Sequence, residues 1–168
     1  MNLQQALQAN AISFLTHLFQ RMQSDSIDFQ GFKLDHICYR VETMERYESL
    51  KEELLKIGGL LVESEIGGRS IATFRLDKSL IFEDRKIQIL ELPAPKTNNR
   101  YQEGFEHVEF VIKDSFESFM QQYSHCHFDI KGMKKDINPD IRLDYGKMSV
   151  KFHHQTLEEV IAWERHSQ

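Results

Sequence analysis

The chain has 168 residues, of which 40% are hydrophobic, 28% charged and 11% aromatic. That is enough apolar material for a sizeable core, and it excludes global disorder. The formal charge is -5, from 26 acidic and 21 basic residues. No block of Lys and Arg stands out beyond Lys134-Lys135, so the sequence shows none of the concentrated positive surface that a nucleic-acid backbone needs, and no nucleic-acid partner is expected. The opening Met1-Asn2-Leu3-Gln4-Gln5 carries no basic region ahead of an apolar stretch, and no segment approaches the roughly 20 apolar residues of a membrane helix. Cys38 and Cys126 form no Cys-x-x-Cys pair. These features predict a reduced, soluble, cytoplasmic protein with no membrane partner.

The first element is a helix over residues 3–22. Leu3, Leu7, Ala11, Phe14, Leu15, Leu18 and Met22 recur at helical spacing, and Asn2 with Gln5 is set up for reciprocal capping. The stripe reads as core, with a docking or dimer contact through Leu3, Phe14 and Leu18 as the alternative. Residues 34–41 alternate as a strand, with Leu34, His36, Cys38 and Arg40 on one side and Asp35, Ile37, Tyr39 and Val41 on the other. Tyr47, Leu50, Leu54 and Ile57 then mark a helix over 44–57, which Gly58-Gly59 stops with Gly58 as the left-handed end. A hairpin turning at Gly67-Gly68 follows, with its second strand over 70–76. Another strand covers 87–92 and ends at Pro93 and Pro95.

Residues 96–103 are polar and read as a linker, after which the order restarts. A strand spans 104–112, a helix opens at Asp114-Ser115-Phe116-Glu117, and strands are expected near 127–132, 141–145 and 148–154. Thr156-Leu157-Glu158-Glu159 is a capping box for a last helix. The segment Leu34-Asp35-His36-Ile37 matches Phe105-Glu106-His107-Val108, 71 residues on, as apolar, acidic, His, β-branched. Setting Ile87-Gln88-Ile89-Leu90-Glu91 against Val150-Lys151-Phe152-His153-His154 aligns the final strands at an offset of 63, with eight residues lost from the second half. Recurrence of a whole element order marks an internal repeat. The predicted architecture is α+β: two βαβββ modules, over 33–95 and 104–155, form a curved mixed sheet around a cleft. An N-terminal helical extension (1–32) and a C-terminal helix (156–168) complete one compact domain.

In this order and in these paired His-bearing strands the chain resembles the vicinal oxygen chelate superfamily, which includes glyoxalase I, extradiol dioxygenases and bleomycin-resistance proteins. The resemblance covers about residues 33–154. Over essentially the whole chain it is similar to a small bacterial group of that superfamily without an established reaction. In the superfamily each module supplies a His from its first strand and a Glu from its last strand to a divalent metal. The resemblance therefore implies His36, Glu91 and His107 as ligands, with His154 where the second Glu is usual. His154 shares parity with Val150 and Phe152 and so reads as inward, His153 as outward.

Imidazole and carboxylate donors suit Zn, Fe, Mn, Co or Ni. Glu109 lies on the His107 face of its strand and is a candidate general base, ligand or hydrogen-bond partner of an imidazole. Arg40 and Arg75 are candidates to meet an anionic substrate. His125-Cys126-His127 reads as a turn, and no phosphate-binding or dinucleotide Gly motif is present, so no nucleotide cofactor is expected. The function that follows is divalent-metal chemistry on a small molecule with vicinal oxygens, as an isomerase, lyase or oxygenase. The alternatives are a protein that sequesters a small molecule without turnover and an interaction protein docking through its first helix. Either a monomer or a homodimer is compatible with the repeat.

Overall fold

The computed structural model describes residues 1–167. The chain forms two compact units, one of residues 1–15 and 36–106, the other of residues 16–35 and 107 onward. Helix α1 (Leu3–Ser24) begins as its first residues dictate. The Gln5 amide donates to Asn2 Oδ1 at 2.9 Å, and the Asn2 amide donates to Gln5 Oε1 at 3.0 Å, which satisfies two of the otherwise unpaired donors of the first turn. Leu7, Ala11, Leu15, Leu18 and Met22 are all buried, and Phe14 packs on Phe105 at 6.0 Å between ring centroids. The stripe is thus spent on the protein's own core, and a docking role for Leu18 falls away.

In the first unit β1 (Lys33–Arg40, from His36 onward) leads to α2 (Met44–Leu54), β2 (Gly58–Ile66), β3 (Arg69–Phe82) and β4 (Arg85–Pro93). The strand order is β2-β3-β4-β1. Strand β1 pairs parallel with β4, and the β2-β3 and β3-β4 pairs are antiparallel, because only β1 reaches its neighbour by a crossover through α2. Ile37, Phe74, Leu90 and Leu92 form one fully buried face, with Tyr47, Leu50 and Leu54 of α2 buried beside them. His36, Cys38 and Arg40 take the other face, level with Ile89 and Glu91 of β4 and with Thr73 and Arg75 of β3.

Two local expectations fail here. Helix α2 ends at Leu54, with Leu55 in the right-handed region, and Gly58 opens β2 instead of closing the helix. Its glycine is needed for room: a Cβ there would lie 2.5 Å from the carbonyl oxygen of Arg75 on the paired strand. Strand β3 is twice the expected length, with 14 residues, and its far end is held by α1. The Gln8 side chain accepts from the Ile81 amide at 2.8 Å and donates to the Ile81 carbonyl at 2.7 Å.

In the second unit β5 (Gly104–Val111, from His107 onward), α3 (Phe116–Gln122), β6 (Ile141–Asp144), β7 (Ser149–His153) and α4 (Leu157–His166) follow one another. The strand order is β5-β7-β6, with β5 parallel to β7 and β6 antiparallel to it. Ser115, rather than Asp114, caps α3, accepting from the Ser118 amide at 3.1 Å. The Thr156–Glu159 capping box of α4 is present on both sides. Gln168, the last residue of that expected helix, lies outside the described residues. The strand expected near 127–132 is reduced to one bridge between Asp129 and Arg142, followed by a short 3-10 turn, Lys131–Lys134. Val108, Phe110, Val150 and Phe152 face a core of Phe19, Phe29 and Phe119. Burying each such aromatic ring contributes about 2–3 kcal/mol. Helices beside repeated βαβ-like units with mixed pairing are the α+β arrangement expected.

Candidate metal centre

The first unit brings His36 and Glu91 together. Neighbouring parallel strands set Cys38 level with Glu91 and His36 level with Ile89, so His36 and Glu91 are diagonal neighbours on one face. Imidazole Nε2 and carboxylate Oε2 are 3.0 Å apart, with His36 buried and the Glu91 side chain 17% exposed. A carboxylate so nearly enclosed has to be met by charge or by donors.

In the second unit the same face of β5 and β7 carries His107, Glu109, Ser149, Lys151 and His153, since His107 pairs with Ser149, Glu109 with Lys151 and Val111 with His153. Glu109 is the hub. Its Oε1 lies 3.4 Å from His107 Nε2 and 3.5 Å from Lys151 Nζ, and its Oε2 lies 3.4 Å from His153 Nε2. His153 is itself oriented, with Asn138 Nδ2 at 3.1 Å from Nδ1 and Asp35 Oδ2 at 3.7 Å from Nε2. Asp35 also accepts from the Leu157 amide at 2.8 Å, at the start of α4, where a carboxylate is favoured by the helix dipole. Asn138 holds a positive φ of 46°, a conformation that Asn tolerates better than most residues. Histidine and carboxylate groups able to coordinate a divalent cation are therefore present in both units.

The registers correct the alignment of the last strands. His36 is level with Ile89 as His107 is with Ser149, so the counterpart of Glu91, two residues on, is Lys151. The offset is 60 residues rather than 63, and the position expected to offer an imidazole offers an ammonium. His154 follows the end of β7. It is exposed, stacks on Phe116 at 4.3 Å and is 2.9 Å from the Asp114 carbonyl oxygen through Nε2. His153, expected to point outward, is fully buried. The parity argument failed because the apolar Val150–Phe152 side of β7 packs on the aromatic core, whereas in β4 the apolar Ile87 and Ile89 share the Glu91 side.

Arg40 pairs through Nε with Glu106 and lies over the Tyr101 ring at 4.9 Å. Arg75 shares the His36 face but is exposed. On the opposite face of β1, burial and the neighbouring Glu103 carboxylate push the Tyr39 hydroxyl up to about 12. His125 is 2.6 Å from the Asp25 carbonyl oxygen through Nε2, in a turn as expected. Asp35, Asn138 and Lys151 were not legible as site residues. Each acquires its place from a partner distant in sequence.

A family model described as "YecM protein" matches residues 3–164. The chain belongs to the YecM family. Protein YecM of Escherichia coli is 29% identical over 149 residues, 78% of each chain. An uncharacterized protein of Haemophilus influenzae is 33% identical over 98 residues, 58% of this chain, and that match spans half the relative's length. Among solved structures, "Structural Genomics, Protein EC4020" superposes on this YecM-family chain with a TM-score of 0.81 at 25% identity, covering 95% of this chain and 92% of the other. A methylmalonyl-CoA epimerase from Mycobacterium tuberculosis superposes with a TM-score of 0.52 at 12% identity, covering 76% of this chain and 90% of its own, a likeness of fold alone. The repeated βαβ-like units and mixed sheet pairing are the architecture that the sequence resemblance implied.

Proposed function

We propose that this YecM-family protein binds a divalent cation, with His36 and Glu91 as the donors of the first unit and His107 and Glu109 as the donor types that the second unit repeats, and acts on a small molecule bearing two adjacent oxygens. The observation that carries this reading is the His36–Glu91 pair at 3.0 Å, recurring in altered form as His107–Glu109 at 3.4 Å. Imidazole with carboxylate donors suits Zn, Mn, Fe, Co or Ni better than Mg or Ca. A cation so held supplies Lewis acidity toward a substrate oxygen. The chain's own contribution is orientation. His153, fixed by Asn138, steadies one oxygen of Glu109, while the other faces His107 and Lys151.

A reading as a sequestering protein without turnover draws support from Lys151, which stands where Glu91 stands in the first unit. Turnover of a defined small molecule separates the two. Two free thiols, Cys38 and Cys126, fit a reducing cytoplasm. Among the described residues no helix is long and apolar enough to cross a membrane.

The test is metal content by plasma mass spectrometry on untagged protein purified without chelator, beside His36→Ala and Glu91→Ala. About one metal per chain, lost in both variants, is expected. Wild-type protein that holds no metal and takes up none of Zn, Mn, Co or Ni refutes the proposal.

A further inference from the structure

The first unit carries a second, cationic feature on the face that holds His36 and Glu91. Arg40 is the next residue of β1 on that face after Cys38, which is level with Glu91. Arg69 opens β3 with the parity of Ile71, Thr73 and Arg75, and Ile71 is level with Pro93, two residues past Glu91. Both guanidinium groups therefore belong to the same end of one sheet face.

Their surroundings do not consume them. The Arg40 side chain is only 13% exposed, and its Nε meets Glu106. Its Nη1 is buried without a hydrogen-bond partner among the described residues. A buried donor left unmet is unfavourable, and an incoming acceptor relieves it. Arg69 gives one bond, from Nη1 to the Ala94 carbonyl at 3.3 Å. Burial, and then the charge of Arg40, push the Arg69 guanidinium below its ordinary value. The two guanidinium groups repel one another, and Glu106 pairs with Arg40.

The neighbouring surface is polar. A cavity of ≈ 290 Å³ is lined by Gly67, Gly68, Pro95, Lys96, Thr97, Asn98 and Asn99, and Asn99 Nδ2 also donates to the Tyr101 hydroxyl at 3.2 Å. Tyr101 in turn stacks on Arg40. That lining offers the Lys96 ammonium and the side-chain amides of Asn98 and Asn99, and it begins at Gly68, the residue before Arg69.

We propose that Arg40 and Arg69 form an oxyanion-binding site that takes the carboxylate or phosphate group of a small acidic molecule. A planar guanidinium matches either group through paired N–H donors. The inference deepens the metal reading by giving the substrate an acidic group. It is tested on metal-free protein, so that the two proposals fail separately.

The experiment is a titration of ¹⁵N-labelled, chelator-treated protein with inorganic phosphate and, separately, with acetate, at ionic strength held constant with chloride. The Nε–Hε resonances of Arg40 and Arg69 are followed. Saturable shifts of both are expected, with affinity weakened about tenfold or more in Arg69→Gln and partly recovered in Arg69→Lys. Arg69 carries the test because Arg40→Gln would also strand Glu106. Tighter phosphate than acetate assigns a phosphorylated molecule, and the reverse a carboxylic acid. Shifts that never saturate with either anion, or an affinity unchanged in Arg69→Gln, overturn the proposal. Metal binding that fails in the wild type while these shifts persist removes only the metal reading.

Discussion

Replacing Lys151 by Met should make the protein bind metal more tightly. Lys151 occupies the register position of Glu91, and its ammonium lies 3.5 Å from Glu109 Oε1. A cation that takes Glu109 as a ligand has to draw that oxygen away from Lys151. Coulomb's law for unit charges at this separation gives ~1.2 kcal/mol in water and ~4.7 kcal/mol at an effective dielectric of 20. The Lys151 side chain is 21% exposed and that of Glu109 is 11% exposed. A flexible, partly solvated ammonium belongs toward the lower bound, near ~1–1.5 kcal/mol, or roughly a tenfold gain in affinity. The assay is Zn competition against a chromophoric chelator for wild type, Lys151→Met and Lys151→Arg, with thermal melts to confirm folding. Lys151→Arg keeps the charge and should stay near wild type. A well-folded Lys151→Met with unchanged or weaker Zn affinity would show that Lys151 does not compete for Glu109.

Two further outcomes follow from the same coordinates. His154→Ala should leave metal stoichiometry and affinity as they are, because His154 is exposed against Phe116 and Asp114; His153→Ala, which releases Glu109 Oε2, should weaken Zn binding about tenfold in the same competition assay. The reverse order would restore His154 as a ligand. Gly58→Ala forces a methyl group to within 2.5 Å of the Arg75 carbonyl and should cost about 1–3 kcal/mol, read by calorimetry as a melting point lower by roughly 2–4 °C per kcal/mol. An unchanged melting point would mean the β2-β3 pair yields freely at that point.

Local chemistry was legible wherever the controlling partner is near in sequence. Asn2 with Gln5 and Thr156 with Glu159 announce helix starts because the donors they satisfy lie three residues away. Period-two alternation set His36, Cys38 and Arg40 on one face and joined Glu109 to His107, and the recurrence of strand and helix order exposed the repeat. What alternation does not say is which face of a strand goes under helices, nor which residue of the next strand stands beside it. Those are decided by sheet register and by the packing of distant rings, here Phe119 against Phe152. That is why His153 and His154 exchanged places, why Lys151 was hidden behind an alignment three residues out of step, and why Gly58 reads as a helix end although its requirement comes from the Arg75 carbonyl of the paired strand. The sequence by itself determined the order of most elements, the repeat and the donor types. Only tertiary pairing determined which donors meet, because a register is a long-range property that no single strand contains.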